Sequence, residues 1–259
     1  MQRVSLRSLS FPRLLLAVAG VSLAGAQVLH ESGHVLVSLV FGRDPVWGIS
    51  SLVQLGDRTP LDPSMWTRYV TTSGNESWLR LGSLPSSDAE WIVMLGAGPA
   101  MQVIAIVVGL IVAAVAQSAW LRGGGLVLAL VNGFGMTAYY LLSVARGIGG
   151  DEQQIADRLG VEPLVVALPF GAAGLVGLVL AFAQLPRPER PRLLLVLLIG
   201  IVPVGPLVMI FNGVVRDQVD AGNALFLGVL GFSLPVLVVA GAALGGGAWA
   251  LRGVRIASA

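Results

Sequence analysis

The sequence lacks cysteine and lysine altogether and is poor in charged residues of every kind. Because none of its 259 residues is cysteine, disulfide bonds, thiolate metal ligands and cysteine nucleophiles are excluded. All sixteen basic residues are arginine, the net charge is only +2 and no basic block occurs, so we expect no nucleic-acid partner. Charged residues make up 12% of the chain, against roughly 25% in an average soluble domain. A chain this short of charge is not typical of a water-soluble protein.

Long apolar runs take the place of the missing charges. The hydrophobic residues make up 55% of the chain, and the mean hydropathy is +0.83. A helix needs about 20 apolar residues to cross a bilayer, and six runs approach or exceed that length: 14–41, 91–116, 126–145, 164–185, 193–215 and 224–251. We therefore predict an all-α, polytopic membrane protein with about six transmembrane helices, which has the lipid bilayer as a partner.

One long polar segment, residues 42–90, interrupts this pattern after the first run. It holds ten charged residues and four of the fourteen prolines, so it must lie outside the hydrocarbon. Within it, residues 46–49 and 52–55 are rich in apolar and β-branched side chains, and the turn-forming pair Gly56-Asp57 follows them. We expect a small β-hairpin here, near the membrane surface.

The first run contains the motif that carries chemistry, His30-Glu31-Ser32-Gly33-His34. In a helix, His30 and His34 project from one face one turn apart, so both can bind the same Zn²⁺. Glu31 lies beside them and can act as the general base that takes a proton from a zinc-activated water. Two randomly placed histidines rarely fall at this spacing with a glutamate between them. Ionisable residues inside a membrane helix are also costly and mark functional sites.

The composition limits the identity of a third metal ligand. A catalytic zinc usually takes three protein ligands, and the chain has no further histidine and no cysteine, which leaves a carboxylate. The third run ends on the same membrane face as His34, and glycines there can let Asp151 fold back toward the metal. Glu152 is the next candidate and Asp157 the one after. Asp151 could instead cap the short helix predicted over 151–160.

The chain resembles the site-2 protease family of intramembrane zinc metalloproteases. His30, Glu31 and His34 match its first motif, Gly98-Pro99 matches its second, and Gly150-Asp151 matches the position of its third. The resemblance implies a metal bound by His30, His34 and Asp151, catalysis through Glu31, and substrate binding at Gly98, Pro99 and Gln102. It also implies hydrolysis of a peptide bond in or near a membrane-spanning protein substrate.

The sequence departs from the family pattern at two positions. Gln102 replaces the asparagine that commonly follows the proline by three residues, and Gly150-Asp151-Glu152 replaces Leu-Asp-Gly. The resemblance covers residues 14–160, so we expect a metalloprotease core over 1–160. Residues 161–259 add three transmembrane helices of unknown role.

Two other functions fit the same residues. A membrane zincin of the CAAX-processing type would take its third ligand from a glutamate on a later helix. A zinc-binding adaptor or transporter would hold the metal without cleaving anything, and would have no use for a non-ligating acid at Glu31.

The arginine distribution and the family resemblance predict opposite orientations of the chain in the membrane. With six spans, nine arginines lie near helix ends on the side of the N-terminus and seven on the other side, which mildly favours a cytoplasmic N-terminus. That orientation would place the histidines near the outer face, whereas the family resemblance implies a site open to the cytosol. The use of arginine alone leads us to expect a bacterial cytoplasmic membrane.

Overall fold

The protein is a multi-pass helical membrane protein, described here from a computed structural model covering residues 4–70, 76–147 and 149–256. The all-α, polytopic prediction is confirmed. Within the described ranges, six helical spans are long and apolar enough to cross a membrane: Phe11–Val40, Asp88–Val115, Ala119–Ala145, Pro163–Ala183, Arg187–Asp220 and Leu234–Leu251.

The described residues form nine α-helices, of which all but the fifth belong to the spans. These are α1 Phe11–Ser22, α2 Leu29–Val40, α3 Asp88–Val115, α4 Ala119–Arg146, α5 Gly150–Leu159, α6 Pro163–Ala183, α7 Arg190–Ile201, α8 Val204–Asp220 and α9 Leu234–Leu251. Six short strands accompany them: β1 Val4–Ser5, β2 Thr67–Val70, β3 Glu76–Leu79, β4 Gly228–Val229, β5 Phe232–Ser233 and β6 Arg255–Ile256.

The first span changes its winding just before the histidine motif. A π-helical segment, Leu23–Val28, joins α1 to α2. The buried side chain of Asn132 on α4 donates a hydrogen bond of 2.8 Å to the Gly25 carbonyl inside that segment. Wide turns of this kind are rare and occur mostly at functional sites, where they change the direction in which the following side chains point.

Close helix packing brings α3 against the histidine motif. A side chain at Gly33 would run into the backbone carbonyl of Ala97, so only glycine allows α2 and α3 to approach this closely. At the membrane surface, Arg43 after α2 pairs with Glu90 on the first turn of α3 at 2.5 Å. Ser87 caps α3 by accepting a hydrogen bond from the Glu90 backbone. The position of α3 along α2 is thereby fixed both at the histidine motif and at the polar ends of the two helices.

The polar segment after the first span forms the expected small sheet, but its regular hairpin lies later than predicted. Its paired strands are β2 and β3, with Thr67 opposite Leu79. Residues 46–49 and 52–55 also pair as predicted, but only over a short length. Trp47 and Leu52 form one antiparallel bridge, the Val53 amide donates to the Val46 carbonyl, and the Gly48 amide donates to the Ser51 carbonyl across a tight turn. Trp47 also bridges to Phe232, so this segment lies between two parts of the chain that are distant in sequence.

Three predicted runs differ from the observed helices. Helix α4 begins at Ala119, seven residues before the predicted run over 126–145. The run over 193–215 is divided near Pro203 into α7 and α8, since proline cannot donate to the preceding turn. The run over 224–251 is wrong at its start, because helix α9 begins only at Leu234. Its first residues form the β4–β5 hairpin, whose turn residues Leu230 and Gly231 both have positive φ, as a tight type I′ hairpin turn requires.

Both ends of the described chain meet on the face opposite the polar segment. Strand β1 pairs with β6, with Val4 opposite Ile256. Glu189, between α6 and α7, accepts hydrogen bonds from the Ser5 hydroxyl at 2.7 Å and the Leu6 amide at 2.8 Å. The protein therefore has a terminal face and, at the other end of the helices, a face that carries the polar segment.

Candidate metal centre

The two histidines of the motif are oriented by hydrogen bonds from their Nδ1 atoms. His34 Nδ1 donates to the Met94 carbonyl on α3 at 2.6 Å, and His30 Nδ1 lies 3.1 Å from the amide oxygen of Gln102, also on α3. A carbonyl oxygen can only accept, so each ring carries its proton on Nδ1 and leaves Nε2 with a free lone pair. This is the outer-sphere arrangement that metal-binding histidines use.

Asp151 reaches the histidines because the chain turns sharply after α4. Gly147 ends α4 with φ +93° and Gly150 begins α5 with φ +70°, conformations that favour glycine. The Asp151 Oδ2 atom then lies 3.4 Å from His30 Nε2 and 3.3 Å from His34 Nε2. An aspartate that binds a metal does so as its ionised carboxylate, and neutral histidines bind through the free ring nitrogen.

The three converging atoms have the geometry of a metal site. The Nε2 atoms of His30 and His34 are 3.1 Å apart, and each is 3.3–3.4 Å from the Asp151 oxygen. Ligands about 2.0–2.2 Å from a tetrahedral zinc lie about 3.2–3.6 Å from one another. Two nitrogen lone pairs and an anionic oxygen facing one another at this distance repel unless a cation lies between them. The residues therefore fit a divalent metal ion.

Gly98 and Pro99 lie on the α3 surface beneath this group. A side chain at Gly98 would come within 2.6 Å of His30 Nε2 and closer still to His34 Nε2, so it would occupy the space of the metal ligands. Pro99 is buried inside α3 and leaves the Leu95 carbonyl without its helical partner. Gln102, expected at a substrate site, has its amide oxygen 3.1 Å from His30 Nδ1.

Glu31 is the remaining acid of the motif. It follows His30 directly, and its side chain is buried with only 6% exposed. Within the described part of the chain its carboxylate makes no hydrogen bond to another residue, unlike Glu152 and Glu189. A buried acid beside the metal ligands and outside the ligand group is suited to accept a proton from water.

The other acidic candidates lie elsewhere. Glu152 is buried and accepts hydrogen bonds from the hydroxyls of Tyr140 and, at 3.3 Å, Tyr139, both on α4. Asp157 is exposed and bonds to Gln153 on its own helix. Among later glutamates, Glu162 is exposed before α6, and Glu189 lies at the terminal face. None of these joins the two histidines in the described structure.

Trp47 belongs to the site although no motif in the sequence points to it. Its ring stacks on the His34 ring with centroids 5.1 Å apart and an angle of 8° between the planes. The Trp47 amide donates to the Gly231 carbonyl at 2.8 Å, so the β4–β5 hairpin holds the tryptophan in place. Gly231 in turn packs directly on Val35 of α2. Sequence patterns offered no means of finding this contact, since its partners come from three distant segments.

The centre is partly open. The side chains of His30 and Asp151 are 22% and 25% exposed, whereas that of His34 is 3% exposed. Only three metal-ligating residues come together in the described ranges, and a zinc site with three protein ligands keeps a position for water or substrate. Comparison of the chain with protein families, curated proteins and solved structures finds no match.

Proposed function

We propose that this protein is an intramembrane zinc metalloprotease that hydrolyses peptide bonds in or near membrane-spanning substrates. The observation that carries the proposal is the convergence of His30 Nε2, His34 Nε2 and Asp151 Oδ2 within 3.4 Å of one another, beside a buried acid that is not a ligand. The resemblance of the three motifs to the site-2 protease family supports the same conclusion.

Each residue of the centre has a role in this proposal. His30, His34 and Asp151 would hold the zinc, with Gln102 and the Met94 carbonyl fixing the two rings. A zinc ion held there supplies Lewis acidity, which polarises a peptide carbonyl and makes water more acidic. Glu31 takes the proton from the attacking water on a carboxylate oxygen and delivers it to the leaving amine nitrogen.

The exposed edge of the centre supports access by a peptide. The site is open on the side of His30 and Asp151, whereas His34 is covered by the Trp47 ring. A structural zinc site is closed by a fourth protein ligand, and in the described ranges this group has three. A partly open group of three ligands therefore favours an enzyme over a zinc-binding adaptor or transporter.

Substitution of Glu31 tests the proposal. Purified Glu31→Gln should keep about one zinc per chain and lose cleavage of a synthetic transmembrane peptide by a factor of about 10²–10⁴, because general-base catalysis is worth that much. His34→Ala should lose both zinc and cleavage. Cleavage by Glu31→Gln at the parental rate would show that the protein is not a protease of this kind, and a parent protein without zinc would refute the metal assignment.

A further inference from the structure

The arginines of the terminal face differ from those of the opposite face in their partners. Eight lie on the described part of the terminal face: Arg7, Arg13, Arg122, Arg187, Arg190, Arg192, Arg252 and Arg255. Within that part, none of the eight lies within 4.0 Å of a carboxylate, whereas six arginines on the opposite face do. Arginine charge on the opposite face is neutralised by carboxylates of the protein itself. On the described part of the terminal face it is left for groups outside the protein to neutralise.

The acidic residues have the same asymmetry. Of the fourteen, Glu31 lies in the first span and only Glu189 lies at the terminal face. Glu189 is buried and is occupied by Ser5 and Leu6. The other twelve belong to the face that carries the metal centre. The terminal face is therefore a positively charged surface without internal counter-ions among the described residues.

Aromatic residues show where this surface lies relative to the bilayer. Trp120 lies in the first turn of α4 and Trp249 near the end of α9, and both are about half exposed at the terminal face. Exposed tryptophans at helix ends sit at the level of the lipid headgroups. Arg13 lies over the Trp249 ring, with its guanidinium carbon 5.0 Å from the centroid. Arg13 is thus held at headgroup depth.

We propose that the terminal face binds anionic phospholipid headgroups of the cytoplasmic leaflet, so that the metal centre opens on the non-cytoplasmic side of the membrane. Arginines at headgroup level that have no carboxylate partner in the described ranges attract acidic lipids, which give the cytoplasmic leaflet its negative potential. The arginine distribution in short loops favours the same orientation. This orientation is opposite to the cytosolic opening that the resemblance to the site-2 protease family implies, and it does not depend on whether the metal centre is catalytic.

Single-cysteine labelling tests the orientation, because the full chain has no cysteine of its own. Thr59 is exposed on the face of the metal centre, and Gln117 is exposed between α3 and α4 on the terminal face. In spheroplasts treated with a membrane-impermeant maleimide, Thr59→Cys should be labelled at least ten times more than Gln117→Cys, and the two should react equally after detergent is added. Preferential labelling of Gln117→Cys, or equal labelling before detergent, would overturn the proposal.

Lipid dependence tests the headgroup contact. The unfolding temperature of the full chain should be about 3 °C or more higher in phosphatidylglycerol-containing vesicles than in pure phosphatidylcholine. Replacing the exposed Arg7, Arg187 and Arg252 with Gln should abolish this difference. The matched control replaces Arg58, Arg68 and Arg216, which pair with carboxylates on the other face, and should retain it. Loss of the difference in the control but not in the first variant would refute lipid binding by the terminal face.

Discussion

At the scale of single residues, Gly98 is the position at which the centre tolerates least change. A methyl group there would overlap both histidine Nε2 atoms, whereas a methyl group at Gly96, on the same helix, would meet nothing within 4 Å. We expect Gly98→Ala to lower zinc affinity at least about tenfold, as severely as loss of an outer-sphere partner, and Gly96→Ala to leave it unchanged. Zinc content of the purified variants after dialysis measures this. Equal zinc retention by both would contradict the placement of α3.

Gln102 would act on a bound metal through His30, whose ring it contacts. Because its amide oxygen accepts the Nδ1 proton, Gln102→Leu should let the ring rotate and lower zinc affinity about 10–100-fold. Gln102→Glu retains an acceptor oxygen and should bind zinc nearly as well as the parent. Competition with a fluorescent zinc chelator gives both affinities. If the two variants bind equally weakly, Gln102 serves a purpose other than orienting His30.

Residues close in sequence were predictable, and residues brought together by folding were not. The spacing of His30 and His34 is a property of one helix, so the sequence alone places both rings on one face. Asp151 could be proposed from the elimination of other ligand types and from the resemblance to the third family motif, but its distance from the histidines depends on how the chain folds. Trp47 and Asn132 contact the site region from distant segments, and no local pattern distinguishes them from ordinary residues of a membrane protein.

At the scale of elements, the short helix α5 holds Asp151 against the metal position. Ile155 and Ala156 bury its apolar side, and Glu152 joins it to the tyrosine pair on α4. Arg158, near its other end, lies 3.7 Å from Asp88 and over the Trp91 ring on α3. Contacts at both ends therefore hold the helix in place, and Asp151 with it. A residue on an unanchored loop would not be held in this way.

Removing one tyrosine hydroxyl tests this anchoring. Tyr140→Phe leaves the buried Glu152 carboxylate one hydrogen bond short, which costs about 1–3 kcal/mol, so we expect a lower unfolding temperature and weaker zinc binding. Glu152→Gln alone and together with Tyr140→Phe completes a double-mutant cycle. The two changes should be strongly non-additive in zinc affinity. Additive effects would mean that Tyr140 stabilises α4 without positioning Asp151.

Element boundaries were predictable only where hydropathy and helix formation coincide. The spans near Trp91 and Leu164 lie close to their predicted limits because charged or proline residues bound them. Residues 224–233 are as apolar as a helix, yet they form a hairpin whose amides and carbonyls pair with Trp47. Hydropathy measures how apolar a segment is and contains no information about its backbone partners.

At the scale of the whole molecule, the last three spans support the metal centre. Helices α7 and α9 pack against α1, and the hairpin before α9 secures Trp47 and packs on Val35 next to His34. Asn212 on α8 accepts a hydrogen bond from the Ile49 amide at 2.8 Å, which fixes the turn that follows Trp47. The region whose role was unknown from sequence thus forms one side of the site.

Because the ligands come from α2 and α5 while α3 lies against both, a bound metal would link three elements across the fold. A ligand present at 100 times its Kd stabilises the folded state by about 2.7 kcal/mol, which for a chain of this size corresponds to a rise of about 5–10 °C. We therefore expect a zinc chelator to lower the unfolding temperature of the parent by that amount and zinc to restore it. His34→Ala should unfold at the same temperature with and without chelator. An equal drop in His34→Ala would place the stabilising metal elsewhere in the chain, and no drop in the parent would show that no metal at this centre contributes to stability.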